Sequence, residues 1–227
     1  MIQLLVMAKA PVPGRVKTRL CPPCTPDQAA AIAAASLADT LTTTSQLPAV
    51  RRVLVLDGTH PLPPGWSHTR QRGRGLAERL RHAFADTHEP GVPSLLIGMD
   101  TPQLTTALLH DAAVKLHHHG SVLGPAADGG WWALGLADPT TADVLAEVPM
   151  STPDTAARTL AALSTRGVHP ALLPQLRDVD TASDAGEVAA LCPPSARFPA
   201  AVARHLPGAQ PVTTPLVTAS PAGRGLR

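Results

Sequence analysis

Short apolar runs alternate along the chain with longer segments of helical character, and that alternation is how a mostly parallel sheet covered by helices reads. The spacing predicts strands at Ile2 to Met7, Arg52 to Asp57, Ser94 to Gly98, Ser121 to Leu123, Trp131 to Leu136 and His169 to Leu173. The helices between them are signposted. Thr25, Pro26, Asp27 and Gln28 place a capping threonine, a proline at the first helical position and a glutamine at the third before an alanine-rich segment ending near Ser45. Thr152, Pro153 and Asp154 repeat the cap-and-proline start before a helix expected to stop at Gly167. Leu76 to Thr87 and Leu104 to His119 are two more, the second closed by Gly120. This pattern fixes an α/β class and leaves function open.

The length of 227 residues supports one sizeable core. The composition predicts one domain over residues 1–192 and a Pro/Ala-rich extension over 193–227, partly flexible, with a short helix between Ser195 and His205. No apolar run approaches the roughly 20 residues of a membrane span, and the N-terminal run is too short for a signal peptide. A cytoplasmic protein without membrane insertion is expected. The formal net charge of +2 is too small and dispersed for general nucleic-acid attraction, so cations must be read locally. Cys21, Cys24 and Cys192, an odd number, make no disulfide framework, and the lone C-x-x-C is expected to be ordinary loop sequence.

Three stretches could carry chemistry. The loop after the first strand holds Lys9, Arg15, Lys17 and Arg19 with no acidic residue before Asp27, and two of the chain's three lysines lie in it. Such a turn between strand and helix is where α/β proteins place phosphate groups, although it lacks the glycine pattern of a P-loop. A solvated basic loop is the alternative. In LLIGMDTPQL, Asp100 follows an apolar strand at the mouth of the expected crevice, where a carboxylate suits Mg²⁺ or Mn²⁺. The alternative is a cap for a turn or the next helix. In LRDVDTASDA, an extended chain would turn Asp178 and Asp180 to one face and Val179 to the other, and the paired carboxylates repel unless a cation lies between them. Thr181 and Asp184 have the spacing of a capping box.

Asp128, Gly129 and Gly130 precede two tryptophans and form either an acceptor-side loop or a hairpin turn with core tryptophans. Arg72, Arg74 and Gly75 stand at a predicted helix N-terminus, where basic side chains oppose the helix dipole and a bound anion would explain them. His117, His118 and His119 point about 100° apart on a helix and are read as solvated.

In order and spacing, MAKAPVPGRVKTRL, LIGMDTPQL, GPAADGGWWALGL and LRDVDTASDA resemble the glycosyltransferase-like family DUF2064, over residues 1 to about 191. That resemblance implies a GT-A fold of the nucleotide-diphospho-sugar transferase superfamily, akin to the 2-phospholactate and molybdenum cofactor guanylyltransferases. It implies that Lys9, Gly14, Arg15, Lys17 and Arg19 line nucleotide phosphates, that Asp100 binds a divalent metal, and that Asp178 and Asp180 add metal-binding carboxylates. The chain departs from the family pattern at Met99, Gln103 and Ala127, the last removing an acid from the acceptor side. The function expected is metal-dependent, glycosyltransferase-like transfer from an activated nucleotide, a nucleotide-sugar donor, to a small-molecule acceptor, with Lys17 and Asp100 catalytic. Nucleotidyl transfer to a phosphorylated acceptor with pyrophosphate release is the alternative within the enzyme class. A non-catalytic nucleotide sensor is the alternative outside it.

Overall fold

The computed structural model describes residues 1–208. Its centre is β1 (Ile2–Lys9), a strand buried at every position except Lys9. Such a strand must be covered on both faces and paired on both edges, and β1 pairs in parallel with β2 (Ala49–Asp57) on one side and β4 (Ser94–Gly98) on the other. β3 (Ser67–Arg70) adds to β2, while β6 (Trp131–Leu136) runs antiparallel between β4 and β5 (Ser121–Pro125). The two-residue β7 (Ala171–Leu172) closes the order β3-β2-β1-β4-β6-β5-β7. This mixed, mostly parallel sheet flanked by helices is the α/β arrangement that the alternation predicts, and it matches the GT-A-like fold that the resemblance implies.

Strand periodicity divides the core. Leu4, Val6, Leu54, Leu95 and Ile97 face α1 (Pro26–Ser45) and α3 (Thr106–His119). Leu5, Val53, Val55 and Leu96 face α2 (Gly75–Thr87), a 3₁₀ segment over Pro139–Glu147 and α4 (Thr155–Ser164). A third cluster joins Leu20, Ile32 and Val179 to α5 (Ala182–Leu191) and α6 (Arg197–His205), with Phe198 at its centre. Cys24 and Cys192 are buried in it, and all three cysteines are free thiols.

The start of α1 has both bonds of the predicted capping box between Thr25 and Gln28, and α5 has the same device between Thr181 and Asp184. Gly120 closes α3 at φ 73°, and the exposed histidines 117–119 occupy its last turn. Other ends differ from expectation. α4 begins at Thr155 because Thr152 spends its hydroxyl on Asp154 Oδ1, forming a turn ahead of the helix. α3 begins after Thr105, which caps it, so Asp100 is not that helix's cap. β3 escapes the sequence pattern because Ser-His-Thr-Arg is polar, as a strand at the sheet edge can be.

The short helix expected between Ser195 and His205 is α6, and its N-terminus is held from outside. The buried Asp39 of α1 accepts from the backbone N–H of Arg197 (3.1 Å) and of Phe198 (2.7 Å), doing the work that the local cap residue, Ala196, cannot. The flexible tail expected for the last residues lies outside the described residues. Among the described residues no helix is long and apolar enough to cross a membrane. Asp39→Ala leaves those N–H groups unpaired beneath Phe198 and is expected to cost about 1–3 kcal/mol, read as a lower urea midpoint at unchanged slope.

Candidate active site

β1 and β4 end side by side, and the segments leaving them diverge around a cavity of about 660 Å³. After β1 the chain makes two tight turns, Val12 N–H to the Ala10 carbonyl (2.8 Å) and Arg15 N–H to the Val12 carbonyl (3.0 Å), with Gly14 at φ 74°. Val16 and Leu20 are buried and pin the loop at two points. Between them Lys17 takes left-handed backbone angles, φ 50° and ψ 38°, which a lysine rarely adopts. Its side chain runs inward and is only 5% exposed.

After β4, the buried Met99 carbonyl accepts from Ser36 Oγ (2.7 Å), and Asp100 turns into the cavity. The segment carrying Asp178 is drawn to the same place by two bonds. Gln103 Nε2 donates to the Arg177 carbonyl (2.7 Å), and Val179 N–H donates to the Asp100 carbonyl (2.9 Å). Val179 is buried in the third cluster, while Asp178 and Asp180 line the cavity, so the alternation expected of this stretch is present although it forms no strand.

Charge pairing links the two sides. Lys17 Nζ lies 2.8 Å from Asp100 Oδ1 and donates to the Val179 carbonyl. On the rim, Arg19 pairs with Asp180 at 2.9 Å. Asp178 has no such partner: its Oδ1 is buried without a hydrogen bond. Burial pushes the Asp178 carboxyl up to about 7, with Asp100 and Asp128 adding repulsion that Lys17 only partly offsets. Among the described residues no three His, Cys, Asp or Glu side chains gather closely enough to hold a metal by themselves. Asp180 pairs with Arg19 and Asp100 with Lys17, while Asp178 is partnerless; Asp100 and Asp178 could hold a hard divalent ion that shares its shell with substrate or water.

Lys9 and Arg15 are exposed at the cavity, and Asp128, Gly130 and Gly75 also line it. Gly14, Gly129 and Arg74 are not among its lining residues. Gly129, at φ 88°, faces Pro153, whose carbonyl oxygen would stand 1.9 Å from any added Cβ. The stretch is thus a hairpin turn as well as a cavity wall. Asp128 Oδ1 accepts from Gly130 N–H (2.8 Å), Trp132 is buried, and Trp131 lines the cavity. At the start of α2 the guanidinium of Arg72, unlike that of Arg74, has a partner among the described residues. Arg72 makes a two-pronged pair with Asp86 (2.6 and 2.7 Å), holding that carboxyl below its ordinary range, and Glu78 Oε2 accepts from the Arg74 N–H (2.7 Å).

Sequence reasoning missed Arg79 and Gln71. Arg79 Nη1 donates to Asp57 Oδ2 (2.9 Å) beside the cavity, and Gln71 Nε2 bridges the Ala8 (2.8 Å) and Val55 (3.0 Å) carbonyls. The available signal was the four-residue spacing from Gly75 to Arg79, which puts both on one face of α2. Ser151, at φ 58°, lines the far wall and carries no sequence signal.

The raised Asp178 carboxyl has a direct consequence for the metal-free protein. The unfolded chain ionises this group near 4 and the folded chain near 7, so its contribution to stability falls as pH rises through that window and stays lost above it. With a chelator present, Asp178→Asn is expected to match wild type at pH 4 and to exceed it at pH 8 by on the order of 1–3 kcal/mol in urea unfolding. Equal stabilities at both pH values would contradict this account.

Residues 28–152, more than half of the chain, match the family described as "Uncharacterized protein conserved in bacteria (DUF2064)". None of the curated proteins matches the sequence. Among solved structures, the chain is similar to a proposed nucleotide-diphospho-sugar transferase from Desulfovibrio desulfuricans G20, with 27% identity, TM-score 0.80, and 90% of this chain and 95% of that one covered. Rv0371C from Mycobacterium tuberculosis H37Rv, solved in complex with manganese, shares the fold at 22% identity and TM-score 0.53, covering 82% of this chain and 96% of its own. CMP:2-keto-3-deoxy-manno-octonic acid synthetase, complexed with CTP, shares it at 10% identity and TM-score 0.52, covering 84% and 98% respectively.

Proposed function

We propose that this chain, which belongs to the DUF2064 family, is a nucleotide-using transferase that moves a nucleotidyl group from a nucleoside triphosphate to a small phosphorylated acceptor, releasing pyrophosphate. The observation that carries the reading is the meeting of a cationic loop and a carboxylate pair across one cavity at the ends of β1 and β4. Lys9, Arg15, Lys17 and Arg19 offer positive charge for a triphosphate, while Asp100 and Asp178 offer hard oxygens for a divalent ion. The CTP complex of a synthetase with this fold and the manganese complex of Rv0371C agree with that division.

In this reading an oxygen of the acceptor phosphate attacks the α-phosphorus, and the bond to the β-phosphate oxygen breaks with its electron pair leaving on pyrophosphate. The protein's part is to align the phosphates and to offset the charge that develops on the leaving group, a task for the loop cations. Bound at Asp100 and Asp178, Mg²⁺ or Mn²⁺ would supply further charge stabilisation of the same kind. Asp128, Gly130 and Trp131 form the opposite wall, where we place the acceptor.

Glycosyl transfer from a nucleotide sugar is the second reading, favoured by the description of the Desulfovibrio desulfuricans protein. Incubation with each nucleoside triphosphate, a panel of phosphorylated acceptors and Mg²⁺ separates the two. Pyrophosphate release is expected, and it should fall by ~100-fold or more in Asp100→Asn. Nucleoside diphosphate formed from a nucleotide sugar, without pyrophosphate release from any triphosphate, would favour the second reading instead.

A further inference from the structure

Lys17 does not point at an open phosphate site. Its ammonium is inserted between the Asp100 carboxylate, 2.8 Å away, and the Val179 carbonyl, at the end of a side chain that is only 5% exposed. The backbone beneath it sits at φ 50°, an arrangement that persists only where surrounding contacts hold it. The neighbouring cations behave differently. Among the described residues neither Lys9 nor Arg15 forms an ion pair, and both are exposed. Beside the pair, Asp178 Oδ1 is buried and has no hydrogen-bond partner.

We propose that the Lys17 ammonium is a built-in counter-ion of the Asp100–Asp178 pocket which a divalent cation displaces, so that ion binding and release of Lys17 toward the phosphate side are one event. The proposal rests on the reading of these carboxylates as the ion site. A single ammonium faces two carboxyl groups and pairs with only one of them, whereas a doubly charged ion can serve both. Lys17 holds its place through its own desolvated contacts, and an incoming ion has to break them. The freed ammonium then finds its best partner in a phosphate oxygen. Ion and nucleotide should therefore favour one another's binding by the same factor, as linkage requires. The inward lysine and the phosphate-gripping lysine become two positions of one side chain.

The test uses Mn²⁺ alone, followed by electron paramagnetic resonance, with the full chain as wild type, Lys17→Met and Lys9→Met. Lys17→Met is expected to bind Mn²⁺ roughly tenfold tighter than wild type or better, and Lys9→Met to stay within about twofold, although both remove one positive charge from the same cavity. Equal affinities for wild type and Lys17→Met, or an equal gain from Lys9→Met, would overturn the exchange and leave the transferase reading standing. Absence of Mn²⁺ binding in all three chains would overturn the exchange together with the ion site it rests on.

A second measurement needs no variant, because the chain has only three lysines, Lys9, Lys17 and Lys115. Acetylation by an activated ester, read by peptide mass spectrometry, is expected to spare Lys17 in the ion-free protein. At saturating Mn²⁺ the Lys17 rate should rise toward that of Lys9, with Lys115 on α3 unchanged. Protection of Lys17 that is indifferent to Mn²⁺ would count against the proposal even if Lys17→Met failed to fold.

Discussion

The parallel pairing of β1 with β4 is the constraint on which the site depends. β1 has β2 on one edge and β4 on the other, so the segments leaving β1 and β4 turn away from each other and leave a crevice at their carboxyl ends. Lys9 is the last residue of β1, and Asp100 lies two residues past the end of β4. Opposite charges from sequence positions 91 apart are thereby brought to one opening before any loop detail is considered. The inserted strand β6 reverses direction but returns β5 to the sense of β4, so the turn carrying Asp128 emerges at the same edge.

The third side of the site is built less directly. Residues 177–180 have no strand of their own, and their position comes from Gln103, from the Asp100 carbonyl and from the burial of Val179. That burial is shared with α5 and α6 in the third core cluster, and Asp39 ties α6 to α1. The acidic wall facing Lys17 is therefore coupled to packing on the far side of α1. A change at Phe198 would reach Asp178 through Val179 without touching the cavity.

How much of this was legible in the sequence depends on how local each cause is. Ser94–Gly98 and Trp131–Leu136 announce themselves as apolar runs with glycine or polar punctuation, and the capping boxes at Thr25 and Thr181 lie within four residues. The alternation of Asp178, Val179 and Asp180 also reads correctly, because opposite faces follow from extended backbone alone. What fails is non-local. The pairing of Arg72 with Asp86, one helix length away, and of Asp180 with Arg19 leaves no local signal. Ser151 and Arg79 reach the cavity through tertiary placement that composition and periodicity do not encode.

The hairpin side of the cavity has little freedom to change length. The turn over residues 126–130 is closed by the Ala126 N–H to the Gly130 carbonyl (2.9 Å), fastened to Leu176 by the Ala127 N–H (2.8 Å), and wedged against Pro153 at Gly129. An inserted residue there would shift β6 against both neighbouring strands at once.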